Sequence, residues 1–286
     1  QMIDLPKSLR VLHLQGLTDS EVRQLAVNVL RYEAINTAAG PKVKITGEAR
    51  LPDAQLVEEL IAHCQSSPGI RRLARNPLML TLLVMTYANA GPLAAKRHRV
   101  YAQAVQTLVS VRNRASSQQV LSEQDLRRRL GHVALDLCRR TAAEIPTRER
   151  VVDLVATVLR QESSDLTDYR RKAEEFVQTV AEATGLLVIH DNPGGIQTVS
   201  FLHHSFLEYY AAVGLMEERV KPDDVAALAE QPRWHEILSL LIGILGDRSD
   251  ATDFIDKLAA DVEPIHNLTG ARLLFALDCA LECDVP

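Results

Sequence analysis

Aromatic side chains make up only 4% of this 286-residue chain, with a single tryptophan among them. Leu, Val and Ala must therefore fill any core, which favours helices. Cysteine is equally scarce: Cys64, Cys138, Cys279 and Cys283, with no C-x-x-C pair. That count excludes a disulfide-stapled scaffold and predicts buried, reduced thiols in a cytoplasmic protein. Long apolar runs are missing too. The longest, 237–245, is about half of what a membrane-crossing helix needs, so no membrane partner is expected. Gln1-Met-Ile-Asp-Leu-Pro has neither the basic start nor the apolar stretch of a secretory signal. A chain opening on Gln reads as a piece of something longer.

Several chemistries are excluded by what is not there. No glycine precedes a lysine, so there is no phosphate loop of the kind whose amides and lysine cradle a nucleotide. No apolar strand ends in paired acids. The chain cannot hydrolyse a nucleotide by that route on its own, and no catalytic residue is assigned. The nine histidines and four cysteines show no H-x-x-x-H or mixed ligand spacing, which argues against a metal site. Ser205 stands outside any G-x-S-x-G elbow. A net charge of −5 weighs against a dedicated nucleic-acid binder.

The patterning that is present is helical. Residues 9–15 alternate as a short strand ended by Gly16. Thr18-Asp-Ser-Glu21 fits a capping box ahead of an apolar stripe at Val22, Leu25, Ala26, Val29 and Leu30. A Gly/Pro-rich loop is expected over 36–52, then a helix capped by Asp53 with Leu56, Leu60, Ile61 and Cys64 on its stripe. Residues 70–90 are strongly apolar and broken at Asn76-Pro77, which places Pro77 in the first turn of a new, buried helix. A helix over 96–114 leads to a polar linker at 115–119, the expected internal boundary. Beyond it, helices over 124–140, 148–160 and 168–184 precede a hairpin, 186–190 and 197–202 around Asp191-Asn-Pro-Gly-Gly195. Three helices followed by a two-stranded wing is winged-helix order. Helices over 205–220, 223–230, 233–245, 252–260 and 268–281 follow, the later ones paired as in a helical-repeat array. The fold class is mainly α with one small β-hairpin.

The most informative stretch is Phe201-Leu-His-His-Ser-Phe-Leu-Glu-Tyr-Tyr-Ala-Ala212, which runs from a strand into a helix with His203 at the junction. It resembles the winged-helix signature of NACHT-type STAND ATPases, relatives of the NOD-like receptors. Arg75-Asn-Pro-Leu-Met-Leu-Thr-Leu-Leu83 and Arg97-His-Arg-Val-Tyr101 resemble two further segments of that family. The resemblance implies four parts: the end of a nucleotide-binding core (1–16), a first helical domain (17–118), a winged helix (119–220) and a second, repeat-like helical domain (221–286). It further implies ATP or ADP, with Mg in the parent protein, as the cofactor, none of it expected on this chain alone. Pro77 would be the adenine contact and His203 the contact to the diphosphate. The partners would be the missing nucleotide-binding core and, on activation, further copies of the protein, in a signalling or defence switch. Without the resemblance, Pro77 is a first-turn proline and His203 a capping or packing histidine.

Two basic clusters, Arg127-Arg-Arg129 and Tyr169-Arg-Arg-Lys172, support the alternative of a DNA-reading winged helix with an attached helical domain. Against it, Glu174-Glu175 follow at once and the wing carries no Lys or Arg. Solvated faces or salt bridges account better for these charges, and nucleic acid is not the expected partner. A purely structural helical adaptor is the third reading.

Overall fold

The computed structural model describes residues 15–38, 54–115, 121–140, 145–162, 168–246, 251–260 and 271–283. The chain divides into two compact units, Gln1–Ala95 and Lys96–Pro286.

Among the described residues the first unit holds four helices, α1 (Asp19–Ala38), α2 (Ala54–Gln65), α3 (Pro68–Ala74) and α4 (Pro77–Ala90). The capping box forms at the start of α1. Glu21 accepts the Thr18 amide at 2.7 Å, and the Glu21 amide donates to Thr18 Oγ1 at 3.4 Å. α1 buries Val22, Ala26 and Leu30 and packs on α4. The near-continuous apolar sequence of α4 needs cover on most sides, and Met79, Leu80, Leu82, Leu83 and Val84 are all buried, each worth about 2 kcal/mol in transfer. In α2 the buried stripe runs through Val57, Leu60, Ile61 and Cys64. Leu56, expected on it, is only half-buried, since the helix phase favours its neighbour. α1 continues to Ala38, past the start of the expected loop. The expected strand, all but Gln15, and the expected cap Asp53 lie outside the described residues.

The second unit begins with α5 (Arg97–Ala115), α6 (Glu123–Arg139), α7 (Arg148–Glu162) and α8 (Tyr169–Thr184). Side-chain caps start the last three: Ser122 Oγ accepts the Asp125 amide, Thr147 Oγ1 the Arg150 amide and Asp168 Oδ1 the Arg171 amide. Gly185, left-handed at φ 68°, ends α8. The hairpin follows as β1 (Leu187–Asp191) and β2 (Gln197–Phe201), antiparallel, with Leu187 opposite Phe201 and Asp191 opposite Gln197. Gly194 and Gly195, both at positive φ, turn the chain between them.

A third, very short strand joins this wing. Thr147 bridges Thr198, and the Val199 amide donates to the Pro146 carbonyl at 2.9 Å. The order helix, strand stub, two helices, hairpin is that of a winged helix. The unit boundary falls ahead of α5, which the sequence grouped with the first helical domain, and so counts it with the winged helix.

α9 (His204–Glu217) leaves the wing and is the buried axis of this unit, with ten of its residues covered. It crosses α6 at Gly131 and Gly214. A Cβ on Gly131 would lie 3.2 Å from the Gly214 nitrogen, so the two backbones touch. The remaining helices are α10 (Pro222–Ala229), α11 (His235–Gly246), α12 (Ala251–Ala260) and α13 (Ala271–Glu282), with a 3-10 turn at Pro232–Trp234. α12 packs on α10 and α13 on α11, so the second helix pair lies against the first.

Candidate functional site

His203 closes β2 and caps α9. Its extended backbone (φ −148°, ψ 150°) lets the ring turn back over the first helical turn. Nδ1 accepts the Ser205 amide at 3.2 Å and lies 2.7 Å from Ser205 Oγ. An Nδ1 that accepts an amide hydrogen must leave the proton of the neutral ring on Nε2. Burial, and then the neighbouring His204, hold the His203 imidazole below its usual range. Both influences favour the neutral ring, and acceptance of the Ser205 amide hydrogen by Nδ1 is compatible with a proton on Nε2.

His204 behaves oppositely. Its Nε2 lies 3.4 Å from Glu208 one helical turn on, and that bond raises its pKa. Two consecutive histidines are thus driven apart, one toward the neutral and one toward the charged form.

The next turns of α9 supply packing. Phe206, Tyr209 and Tyr210 are buried, and Tyr101 of α5 stacks on Tyr209 at 5.3 Å and meets Phe206 edge-on at 5.7 Å. One turn earlier on α5, Arg97 is buried and fully engaged. It donates from Nη1 to Glu236, from Nε to Glu282 Oε1 at 2.8 Å, and from Nη2 to Ser239 Oγ at 2.9 Å. The Arg97–Tyr101 segment thus joins α5 to the winged helix through its tyrosine and to α11 and α13 through its arginine. Sequence reasoning noted the segment without seeing this division of labour, because its partners are too far along the chain to show in any local pattern.

In the first unit, Pro77 is the first residue of α4 and its ring is exposed. Asn76 Oδ1 accepts the Met79 amide at 3.1 Å, fixing the turn that presents the proline. The Arg75 carbonyl accepts the Leu17 amide at 2.8 Å, so the lead into α1 runs beside the turn before Pro77.

Three of the six cations in the two basic clusters are engaged with carboxylates. Arg170 pairs with Glu149 and Asp153, Arg171 with Asp168 and Glu175, and Arg129 with Asp125 and Glu162. A recognition helix would need those guanidinium groups for phosphates and base edges. Trp234 is buried as expected of packing, and His235 stacks on Phe275 at 4.3 Å. Among the described residues no group of three potential ligands could hold a metal, and no helix is long and apolar enough to cross a membrane.

Residues 97–215 match the family model of a winged helix-turn-helix domain C-terminal to NACHT. The match begins at the residue that opens α5 and ends within α9. No curated protein matches the chain.

Proposed function

We propose, from the NACHT-type C-terminal winged-helix module that the chain carries at residues 97–215, that it is the regulatory part of a nucleotide-dependent molecular switch. In this reading a nucleotide-binding core outside these 286 residues holds ADP. The winged helix clasps the closed state through His203, and exchange for ATP removes that differential contact and permits oligomerisation in cytoplasmic signalling or defence.

The observation that carries the reading is the state of His203. An imidazole held through Nδ1 by the Ser205 amide, at the point where a strand enters a helix, is a polar group of the kind that contacts a diphosphate oxygen. Its position at a strand-to-helix junction fixes the ring through both elements. Pro77 fits the second role, since a rigid ring presented at a helix start offers an apolar face of the kind a purine packs on. The chemistry of phosphate binding itself, charge neutralisation and Mg²⁺, would come from the core.

The test uses the full-length gene product that contains this chain. His203→Ala should lower the ADP that co-purifies with it and raise its basal self-association, read by chromatography of released nucleotide and by light scattering. Unchanged ADP content together with unchanged assembly would sink the assignment. ATP turnover by the 286-residue chain alone would sink the non-catalytic role.

A further inference from the structure

A groove on the flank of the wing is not used by the reading above. It is a cavity of about 530 Å³ bounded by β2, the last turn of α6, the first turns of α9 and the start of α11, within the size range of small-molecule sites. Its walls are apolar, formed by Leu137, Val199, Phe201, Leu207, Trp234 and Ile237.

Its charged lining is not balanced. Arg140 and Arg150 converge on one carboxylate, Asp136, at 2.7 and 3.1 Å, and Glu208 is taken by His204. Arg233 has no carboxylate partner among the described residues. Its Nη1 donates to the Arg140 carbonyl at 3.1 Å and its Nε to Gln231 Oε1 at 3.0 Å, while its guanidinium sits 5.8 Å from the Trp234 ring centre. Two neutral acceptors and an aromatic face thus hold an uncompensated cation in a set plane at the edge of an apolar groove. Beside low-dielectric walls an opposite charge gains more than it would in water. The planar fork of arginine suits a carboxylate in particular.

We infer that this groove binds an amphipathic carboxylate, a small monoanion whose head pairs with Arg233 and whose apolar body lies across Phe201, Leu207 and Ile237. A wholly apolar ligand would leave Arg233 unanswered. A cationic one would face three guanidinium groups with both nearby carboxylates already paired.

The chain supplies its own probe, since Trp234 is the sole tryptophan and lines the groove. Decanoate, added to the full chain below its micelle concentration, should shift Trp234 emission saturably and give one site by calorimetry. A decanoate brominated at its tail should quench the same emission. Decanol, with the same tail and no charge, should bind about tenfold more weakly, the worth of one charge-assisted contact. Arg233→Gln, at an exposed position, should erase that difference, and Leu207→Phe, which narrows the groove, should weaken both ligands. The inference fails if no saturable change occurs, if decanoate and decanol bind alike, or if Arg233→Gln leaves decanoate binding intact. Capture of an acidic apolar peptide in place of decanoate would equally overturn it. None of these outcomes depends on ADP or on His203, so this test and that of the switch fail separately.

Discussion

Arg97 and Glu282, 185 positions apart, meet in a 2.8 Å Nε–H···Oε1 bond that ties the opening of the winged-helix unit to its last described helix. Burial works against the charge on Arg97, yet Glu236 and Glu282 together hold its pKa above the ordinary value. The cation is therefore a committed part of the packing between α5, α11 and α13.

Replacing Arg97 with Met strands both carboxylates. The expected cost is about 2–3 kcal/mol, below the usual figure for a broken buried pair, because Glu236 and Glu282 keep 29% and 18% of their side-chain surface. Urea unfolding measures it. Combining Arg97→Met with Glu236→Gln and Glu282→Gln should recover much of the loss; if the triple variant is the least stable of the set, the ion pairs are not what the single substitution removed.

Gly214→Ala separates two opposed effects. Helix propensity favours alanine by about 1 kcal/mol, but its methyl group would fall well inside contact distance of the Gly131 carbonyl oxygen and 3.0 Å from the carbonyl carbon. Backbone cannot swing aside as a side chain can, so a net destabilisation of about 2 kcal/mol is expected. A rise in melting temperature would mean that the α6–α9 crossing is looser than described.

The two histidines should titrate on opposite sides of the ordinary imidazole value, about 6.5. His203, depressed by burial, contributes fully above that value, and its contribution shrinks as pH falls toward its own lower pKa. His204, raised by Glu208, contributes fully below about 6.5 and loses that contribution as pH rises through its folded value. NMR titration of the ring resonances distinguishes them. Glu208→Gln should bring the His204 midpoint down, and a His204 midpoint that stays put would remove Glu208 as the cause.

The thiols should be inert in the folded chain. Burial pushes Cys64 up to about 11 and Cys138 up to about 12, and raises Cys279 further still, so little thiolate exists at pH 8. Iodoacetamide should label them slowly in the native protein and quickly in guanidinium. Fast native labelling of Cys279 would show that α13 detaches from its neighbours.

What was legible in the sequence was local. The Thr18 cap, the break at Asn76-Pro77 and the wing turn all follow from residue types acting within four positions of one another, and each forms as read. The phase of α2 went one residue astray because Leu56 and Val57 are both apolar and only tertiary cover chooses between them. What stayed hidden depends on distant partners. The Gly131–Gly214 contact looks like two unremarked helical glycines, the bridge from Thr147 to Thr198 spans a helix pair, and the carboxylates that hold Arg97 lie 139 and 185 positions along the chain. The motif singled out His203 from residue types alone, whereas its contacts with Ser205 depend on the backbone turning at the strand-to-helix junction.

The stub at Pro146 and Thr147 has one more effect. A free strand flank is a template on which a second chain can nucleate intermolecular β-structure. The flank of β2 turned away from β1 is instead occupied by a residue that accepts the Val199 hydrogen and, being proline, has no hydrogen of its own to extend the ladder. In a protein proposed to assemble with copies of itself, that blunted margin favours association through designed faces over amyloid-like growth.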